Sequence, residues 1–364
     1  MRVRDIAMGP IFPDDGAPGA RLLRRVRGIG IEVLAFVLLT VLLPVALLVA
    51  LVVDVVLWLR RRKPFMAIRL VAMAWWFLAG EMVALVVLLA IAVSSGFRDT
   101  PRRRRGVYDL RVQWARHHIR GIRTLFGLRF EVEGLEHAGP GPVVVLIRHA
   151  SIIDNMLPDS LVAHGHGIGL RYVIKRELQM IPVIDIGGRW VPTNFVRRAS
   201  GEAEAEIAKL RMLADDLGPE GILIYPEGTR HTDAKLARAQ EIIRERKPEL
   251  APRADRLRNV LPPRLGGPVA MLDAARGADV VLFGHVGLDG FEYISDIWSG
   301  GLVGTPVKMK LWRFPASDVP AGEDALTEWL YDVWQQLDDW VGEQRGVPAQ
   351  AAALSSASPA SERA

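Results

Sequence analysis

The stretch LIRHASIIDNMLP, residues 146–158, places a histidine and an aspartate where a buried strand should end. His149 follows the apolar run 143–147 closely, and Asp154 comes five residues later, where a helix is predicted to begin. A neutral imidazole can take a proton from an attacking hydroxyl, and a carboxylate on its far nitrogen would fix the tautomer and stabilise the imidazolium. The spacing therefore indicates a general base. A helix-capping role for Asp154 is the alternative.

A second apolar run also ends in a polar turn; the two polar turns, 148–154 and 226–230, are called corners here. In ILIYPEGTR, residues 222–230, the predicted strand ends in Pro-Glu-Gly-Thr-Arg. The Arg230 guanidinium suits a phosphate group, Gly228 permits close approach of the backbone, and Glu227 can hold the arginine or a substrate hydroxyl. A strand-exit turn with a surface ion pair is the alternative. Ligands of open α/β sheets bind at the carboxyl ends of the strands, so both corners are well placed for function.

An α/β domain is needed to position these corners. From residue 127 onwards, short apolar runs alternate with helical patterns, which predicts a largely parallel sheet flanked by helices. The predicted strands are 127–133, 142–148, 170–175, 221–226, 279–286 and 305–312, and the predicted helices are 154–163, 200–217, 234–247, 268–276 and 323–343.

Two apolar segments precede this domain. Residues 31–59 and 70–94 each exceed the roughly 20 residues that cross a bilayer, which predicts a membrane-embedded helical hairpin, with two buried core helices as the alternative. Basic residues flank the hairpin and also fill its loop, 60–63, so the positive-inside rule only narrowly favours both termini in the cytoplasm. A hairpin that enters one leaflet would place every basic cluster on one side. Glu81 needs a protein partner or water, because a charge at that depth costs at least about 2.5–3.5 kcal/mol.

These patterns divide the chain into segments and limit its partners. The net charge of +5 comes from basic residues that crowd the membrane segments, where anionic lipid is a nearer partner than nucleic acid. The absence of cysteine excludes disulfides, thiol nucleophiles and iron–sulfur ligation. The predicted segments are a polar, partly disordered lead (1–28), a membrane-embedded hairpin (29–96), a basic juxtamembrane linker and helix (97–125), the α/β domain (126–345) and a disordered tail (346–364).

The two corners together resemble a known family. His-x4-Asp, followed about 70 residues later by a strand ending in Pro-Glu-Gly-Thr-Arg, resembles the glycerolipid acyltransferases, which make phosphatidic acid and remodel lysophospholipids. The resemblance covers about 125–310. Residues 260–267 are similar to a Leu-Pro-Arg-x-x-Gly corner of the lysophosphatidic, lysophosphatidylinositol and lysocardiolipin acyltransferase subgroup. The resemblance implies that His149 is the general base, that Asp154 orients it, and that the acceptor's phosphate is bound by Glu227, Gly228, Thr229 and Arg230.

One block departs from the family pattern. Members often carry Gly-x-x-Phe-Ile-x-Arg, but the matching block here runs from Gly187 to Thr193, so a threonine stands where the arginine would be. Arg189, Arg197 or Arg198 are the candidates to supply that charge. The second phosphate contact is therefore expected from one of these three arginines.

The resemblance implies a membrane-bound O-acyltransferase with its catalytic domain on the cytoplasmic side. The donor would be acyl-CoA or an acyl carrier protein thioester, and the acceptor a lysophospholipid such as lysophosphatidic acid, with glycerol 3-phosphate as the alternative. No metal, other cofactor or nucleic acid is expected. The chain has no Gly-x-Ser-x-Gly elbow, and Ser151 is interpreted as a hydroxyl at the start of a helix, so no nucleophile for a covalent acyl-enzyme is evident. A membrane lipid hydrolase or thioesterase and a non-catalytic membrane scaffold are the alternatives.

Overall fold

A computed structural model of the chain describes residues 3, 6–14, 16–196, 203–291 and 293–346. Its helices are α1 (Pro18–Arg61), α2 (Ala67–Ser94), α3 (Pro101–Phe126), α4 (His164–His166), α5 (Pro182–Gly188), α6 (Ala203–Ala214), α7 (Asp233–Arg246), α8 (Ala251–Ala254), α9 (Gly266–Ala274), α10 (Ile294–Ile297) and α11 (Glu323–Gln344). Its strands are β1 (Arg129–Glu133), β2 (Val143–Ile147), β3 (Leu170–Lys175), β4 (Thr193–Val196), β5 (Gly221–Ile224), β6 (Asp279–Val286) and β7 (Pro306–Phe314).

The two apolar segments form a helical hairpin, α1 and α2, and each helix is long and apolar enough to cross a membrane. Helix α1 begins within the segment predicted as a polar lead. Asp54 is buried in α1, and its carboxylate accepts hydrogen bonds from the backbone N–H groups of Met66, Ala67 and Ile68 at 2.9–3.0 Å. It thus satisfies the free N–H groups at the start of α2, which explains an acidic residue in an apolar segment.

Helix α2 packs closely along α3. A Cβ atom on Gly80 would lie 2.7 Å from the His117 ring, so the two helices approach where α2 has no side chain. Glu81 is fully buried; it accepts a hydrogen bond from the Trp114 indole at 2.5 Å and lies 3.5 Å from His118 Nε2. The expectation that Glu81 faces protein is confirmed, with its partners on α3.

The strands form one sheet in the order β1-β7-β6-β2-β5-β3-β4. All neighbouring strands pair in parallel except β6 and β7, which are antiparallel. The central strand β2 is buried on both faces: Val143, Val145 and Ile147 pack into one hydrophobic cluster, and Val144 and Leu146 pack into another. The predicted α/β fold with a largely parallel sheet flanked by helices is confirmed.

Parts of the α/β domain differ from the sequence-based expectation. Helix α5 and strand β4 were not predicted, because the prolines and glycines between 181 and 193 obscure any periodicity. The predicted helix 154–163 is helical in the structure, but it is not a regular α-helix. A 3-10 turn spans Asp154–Met156 and a π-helical turn spans Pro158–Ala163, and Pro158 lacks the N–H group that a regular helix would use there.

Described residues of the N-terminal segment lie against the α/β domain. The Ala7 backbone N–H donates to the Glu220 carboxylate at 3.1 Å, and Glu220 pairs with the buried Arg171 at 2.7 Å. The domain limits predicted from the sequence stay predictions. The predicted tail lies almost wholly outside the described residues, which end at 346.

Candidate active site

The carboxyl ends of β2, β5 and β6 meet at one edge of the sheet, because these strands are parallel neighbours. His149 follows β2, Tyr225 and Glu227 follow β5, and His285 lies near the end of β6. This edge is where ligands bind in open α/β sheets. The two corners singled out in the sequence therefore lie side by side.

His149 and Asp154 form a hydrogen-bonded dyad. Nδ1 of His149 lies 3.1 Å from Oδ1 of Asp154. Because a carboxylate only accepts, Nδ1 carries the hydrogen and Nε2 keeps its lone pair in the neutral ring. The His149 ring also lies against Tyr225, with ring centres 4.5 Å apart. The dyad that the sequence predicted is thus assembled, and in the neutral tautomer Nε2 is the nitrogen that can accept a proton.

The Asp154 carboxylate is held in one orientation. Its Oδ2 accepts the backbone N–H groups of Ala150 at 2.7 Å and Ser151 at 2.8 Å. Full burial alone would raise its pKa, but the interactions with His149 and the hydrogen bonds outweigh burial and hold the pKa of Asp154 below its usual value. The Ser151 hydroxyl accepts the N–H of Ile153 at 2.8 Å, in agreement with its predicted local role.

Glu227 contacts backbone groups. Its Oε1 accepts the N–H of His149 at 2.8 Å, its Oε2 accepts the N–H of Leu261 at 3.0 Å, and the side chain is buried. Burial raises the pKa of Glu227 to about 8, although the charge of Arg148 and both hydrogen bonds favour the carboxylate. The predicted phosphate contact through Glu227 is therefore corrected, because both of its oxygens are used to join the His149 corner to the Leu261 corner.

Arg230 is the last residue of the 226–230 corner, and one of its guanidinium nitrogens has no hydrogen-bond acceptor among the described residues. Its Nη1 is buried and has no hydrogen-bond partner among the described residues, and its guanidinium lies 5.7 Å from the centre of the Tyr293 ring. Gly228 has φ +65°, and a Cβ atom there would lie 2.8 Å from the Arg264 side chain, so the turn requires glycine. Thr229, the residue between Gly228 and Arg230, is half-buried. A buried donor without a partner is the feature expected where an anion binds.

Arg189 is engaged elsewhere. It caps the end of α5, and its Nη1 donates to the backbone carbonyls of Phe12 at 3.1 Å and Pro13 at 2.9 Å. The prediction that Arg189 supplies the second phosphate contact is therefore corrected, because this guanidinium anchors the N-terminal segment. The other candidates, Arg197 and Arg198, lie outside the described residues and stay predictions.

Two buried residues beside the dyad were not predicted. Arg148 donates to the carbonyls of His285 at 2.8 Å and Asn259 at 3.1 Å, and to the Asp289 carboxylate at 2.6 Å. Nε2 of His285 lies 3.0 Å from the Arg148 carbonyl and 3.6 Å from Asp154 Oδ2. A charged residue directly after a wholly apolar strand is a signal that could have identified Arg148. No local pattern marks His285.

Residues 129–264 match the family model described as Acyltransferase. The segment that carries the dyad is therefore an acyltransferase domain. The predicted resemblance is thereby confirmed, and the matched segment includes both members of the dyad and the corner 227–230, whereas His285 lies beyond it.

Curated relatives carry related names. The 1-acyl-sn-glycerol-3-phosphate acyltransferase gamma of Mus musculus is 29% identical over 210 residues, which are 56% of this chain and 54% of that protein. The 1-acyl-sn-glycerol-3-phosphate acyltransferase of Pseudomonas aeruginosa is 33% identical over 122 residues, 32% of this chain and 44% of that protein. The chain thus spans about half the length of the curated relatives it matches. The crystal structure of the 1-acyl-sn-glycerophosphate acyltransferase from Thermotoga maritima aligns with a TM-score of 0.48 at 19% identity, over 76% of this chain and 98% of that one.

Proposed function

We propose that the protein is a membrane-bound O-acyltransferase, which transfers a fatty acyl group from a thioester of coenzyme A or acyl carrier protein to a free glycerol hydroxyl of a lysophospholipid. One observation carries the proposal: Nδ1 of His149 is engaged by the buried Asp154, so Nε2 is left to act as a base. The family match over 129–264 and the names of the relatives support the same reaction class.

Direct attack by the acceptor needs a base, a positioned substrate and little competing water. His149 Nε2 takes the proton of the acceptor hydroxyl while that oxygen attacks the thioester carbonyl carbon. Asp154 stabilises the imidazolium that forms. The C–S bond then breaks, the leaving thiolate takes the proton from His149, and the new oxygen ester is released. The steps need the two substrates and the chain's own residues, and no cofactor is proposed.

Arg230 is the proposed ligand of the acceptor's phosphate. Its buried Nη1 has no partner among the described residues, and Gly228 and Thr229 form the turn that presents it. A hydrogen bond to a charged group contributes about 1.5–3 kcal/mol, so a phosphate here would bind well. Because relatives are named for 1-acyl-sn-glycerol-3-phosphate, lysophosphatidic acid is the proposed acceptor. Arg197 remains the candidate for a second contact.

The helical hairpin is proposed to enter one leaflet of a membrane, with the α/β domain on the cytoplasmic side. The domain holds α2 at both ends. At the start, Met66 packs into a hydrophobic cluster shared with β2, and in the turn before it Lys63 Nζ lies 3.8 Å from the centre of the Trp298 ring. Towards the other end, Leu88 packs with Val183 of α5. A helix held in this way lies along the domain, whereas α1 exposes large apolar side chains that suit lipid.

The absence of cysteine allows a direct test of this placement. Single Arg61→Cys and Ala237→Cys variants would place one thiol at the end of α1, directly before the hairpin turn, and one on α7. In sealed vesicles of known orientation, both thiols should react with a membrane-impermeant maleimide from the same side. Reaction from opposite sides would mean that the hairpin spans the bilayer.

The function is tested with the full chain in detergent, a fatty acyl-CoA or acyl carrier protein thioester, and a panel of lysophospholipids. Free thiol and the lipid product are measured together, the latter by mass spectrometry. Thiol release should require the acceptor, should equal the diacyl phospholipid formed, and should be fastest with lysophosphatidic acid. Thiol release without acceptor would point to a hydrolase. No release with either donor would point to a scaffold.

A further inference from the structure

A reciprocal pair of hydrogen bonds joins the ends of β2 and β6. Arg148 Nη1 donates to the His285 carbonyl at 2.8 Å, and His285 Nε2 donates to the Arg148 carbonyl at 3.0 Å. The backbone bond from the Arg148 N–H to the Phe283 carbonyl, 3.2 Å, continues the strand pairing up to this point. Both side chains are fully buried. This pair is referred to below as the Arg148–His285 latch.

The latch lies beside the dyad. Nε2 of His285 is 3.6 Å from Asp154 Oδ2, and Nδ1 of His149 is 3.1 Å from Asp154 Oδ1, so each carboxylate oxygen has an imidazole next to it. The groups nearest to His285 Nε2 are a carbonyl and a carboxylate, and both only accept hydrogen bonds. Nε2 of His285 therefore carries the hydrogen, and Nδ1 does not.

His285 is held in its neutral form. The charged groups that act on it are Asp154, Arg148 and Asp289. Burial lowers the pKa of His285 and outweighs Asp154, which would raise it. Protonation would also create an N–H group at Nδ1, which is buried without a partner in the described part of the chain. The ring thus acts as a fixed N–H donor and takes no proton itself.

We propose that His285 is a positioning residue for acyl transfer, which fixes the Arg148 carbonyl and thereby holds the backbone that carries His149 in place beside Asp154. The proposal rests on the proposed function and extends it to β6, beyond the segment that matches the family. An apolar residue at position 285 would leave that carbonyl without its side-chain donor and the carboxylate without its second imidazole.

The test pairs His285→Leu with His285→Gln in the full chain. Leucine fills the space without a donor, whereas the glutamine amide can replace the N–H of Nε2. His285→Leu should lower kcat about 10- to 100-fold, because a small misplacement of the dyad is costly, and should leave the acceptor KM nearly unchanged. It should also move the acid limb of the kcat/KM profile to lower pH, because Asp154 stabilises the imidazolium less when His149 is displaced from it. His285→Gln should recover most of kcat.

The matched control is His118→Leu, which replaces a buried histidine on α3 that does not contact the dyad. Per folded protein, this variant should keep the kcat and the pH profile of the unmodified chain. A large loss of kcat in His118→Leu would show that any buried histidine is equally sensitive, and would contradict a specific role for His285.

A second measurement does not need turnover. In protein with nitrogen-labelled histidines, the proton between His149 Nδ1 and Asp154 should give a downfield NMR signal that shifts in His285→Leu and persists in His285→Gln. If no form transfers acyl groups but this signal responds, the positioning role stands and the proposed function fails. If acyl transfer occurs and His285→Leu keeps the original kcat, pH profile and signal, the positioning role is overturned. Equal losses in both variants with an unchanged signal would overturn it as well.

Discussion

Arg148 and Arg230 follow neighbouring strands of one sheet, yet the terminal nitrogens of their side chains have different surroundings. Both terminal nitrogens of Arg148 are used, by two backbone carbonyls and the Asp289 carboxylate, although its buried Nε has no partner among the described residues. Arg230 keeps a buried Nη1 that has no acceptor among the described residues. The β2 region is thus built to hold its own geometry, whereas the β5 corner is built to be completed by a ligand.

This contrast predicts a division of kinetic effects. Changes around the dyad should lower kcat, because they disturb groups that act in the transition state. Changes at the Arg230 corner should raise the acceptor KM, because they remove binding energy that is already present in the ground state. Variants of Asp154 and Arg230 test the two sides of this division separately.

The largest effect is expected from Asp154→Asn, which should lower kcat by about 1,000- to 10,000-fold. The asparagine amide would present a donor or a weaker acceptor to Nδ1 of His149, so Nε2 would no longer be reliably unprotonated. The acceptor KM should change little. Steady-state kinetics test this, with Asp255→Asn, a surface change at a carboxylate paired with Arg244, as the control. A kcat within tenfold of the unmodified protein would contradict the role of the dyad.

A smaller effect is expected from Arg230→Gln, which should raise the KM for lysophosphatidic acid about 10- to 100-fold, as the loss of a charge-assisted hydrogen bond implies. The kcat at saturating acceptor and the KM for the thioester should stay within a few-fold. Arg238→Gln removes an exposed arginine of α7 that pairs only at the surface with Glu241, and it should leave all three constants unchanged. A fall in kcat with an unchanged acceptor KM would refute a phosphate-binding role for Arg230.

The smallest effect concerns stability and involves Glu227. Its pKa is raised to about 8 in the folded protein, so between its ordinary value and about 8 the folded chain binds more protons than the unfolded chain. The free energy of unfolding should therefore fall as pH rises through this window, by at most about 1.4 kcal/mol per pH unit from this group. Glu227→Gln should remove that part of the slope. It should also destabilise the protein at every pH, because its NH₂ group would face a backbone N–H.

Denaturant unfolding at a series of pH values measures both effects of this change. The difference between the two slopes isolates Glu227 from the other titrating groups. If the free energy of unfolding has the same pH dependence in the unmodified protein and in Glu227→Gln, then Glu227 loses its proton at the same pH in the folded and unfolded chains. That result would contradict the raised pKa of Glu227.

Features encoded locally could be predicted from the sequence. The apolar runs of β2 and β5 and the polar residues directly after them identified the strands, the sheet edge and the dyad, because each signal lies within about ten residues. The position of Asp154 was found for the same reason, although Pro158 changed the helix after it.

Features that depend on distant pairing could not be predicted. Arg189 was assigned to phosphate by its place in a family block, but its partners are carbonyls of Phe12 and Pro13, far away in the chain. His285 reaches Asp154 only because β6 pairs with β2 in the register that sets Ile147 opposite Phe283. Glu227 was misassigned because a carboxylate in a polar corner gives no sign that both of its oxygens will meet backbone N–H groups.

The most direct test compares the unmodified protein with His149→Ala, both with saturating acyl thioester and lysophosphatidic acid. The account predicts acceptor-dependent thiol release that falls at least about 1,000-fold in the variant, since the base that takes the acceptor's proton is gone. A variant that forms diacyl product at a rate similar to that of the unmodified protein would contradict the account, because acyl transfer would then proceed without His149.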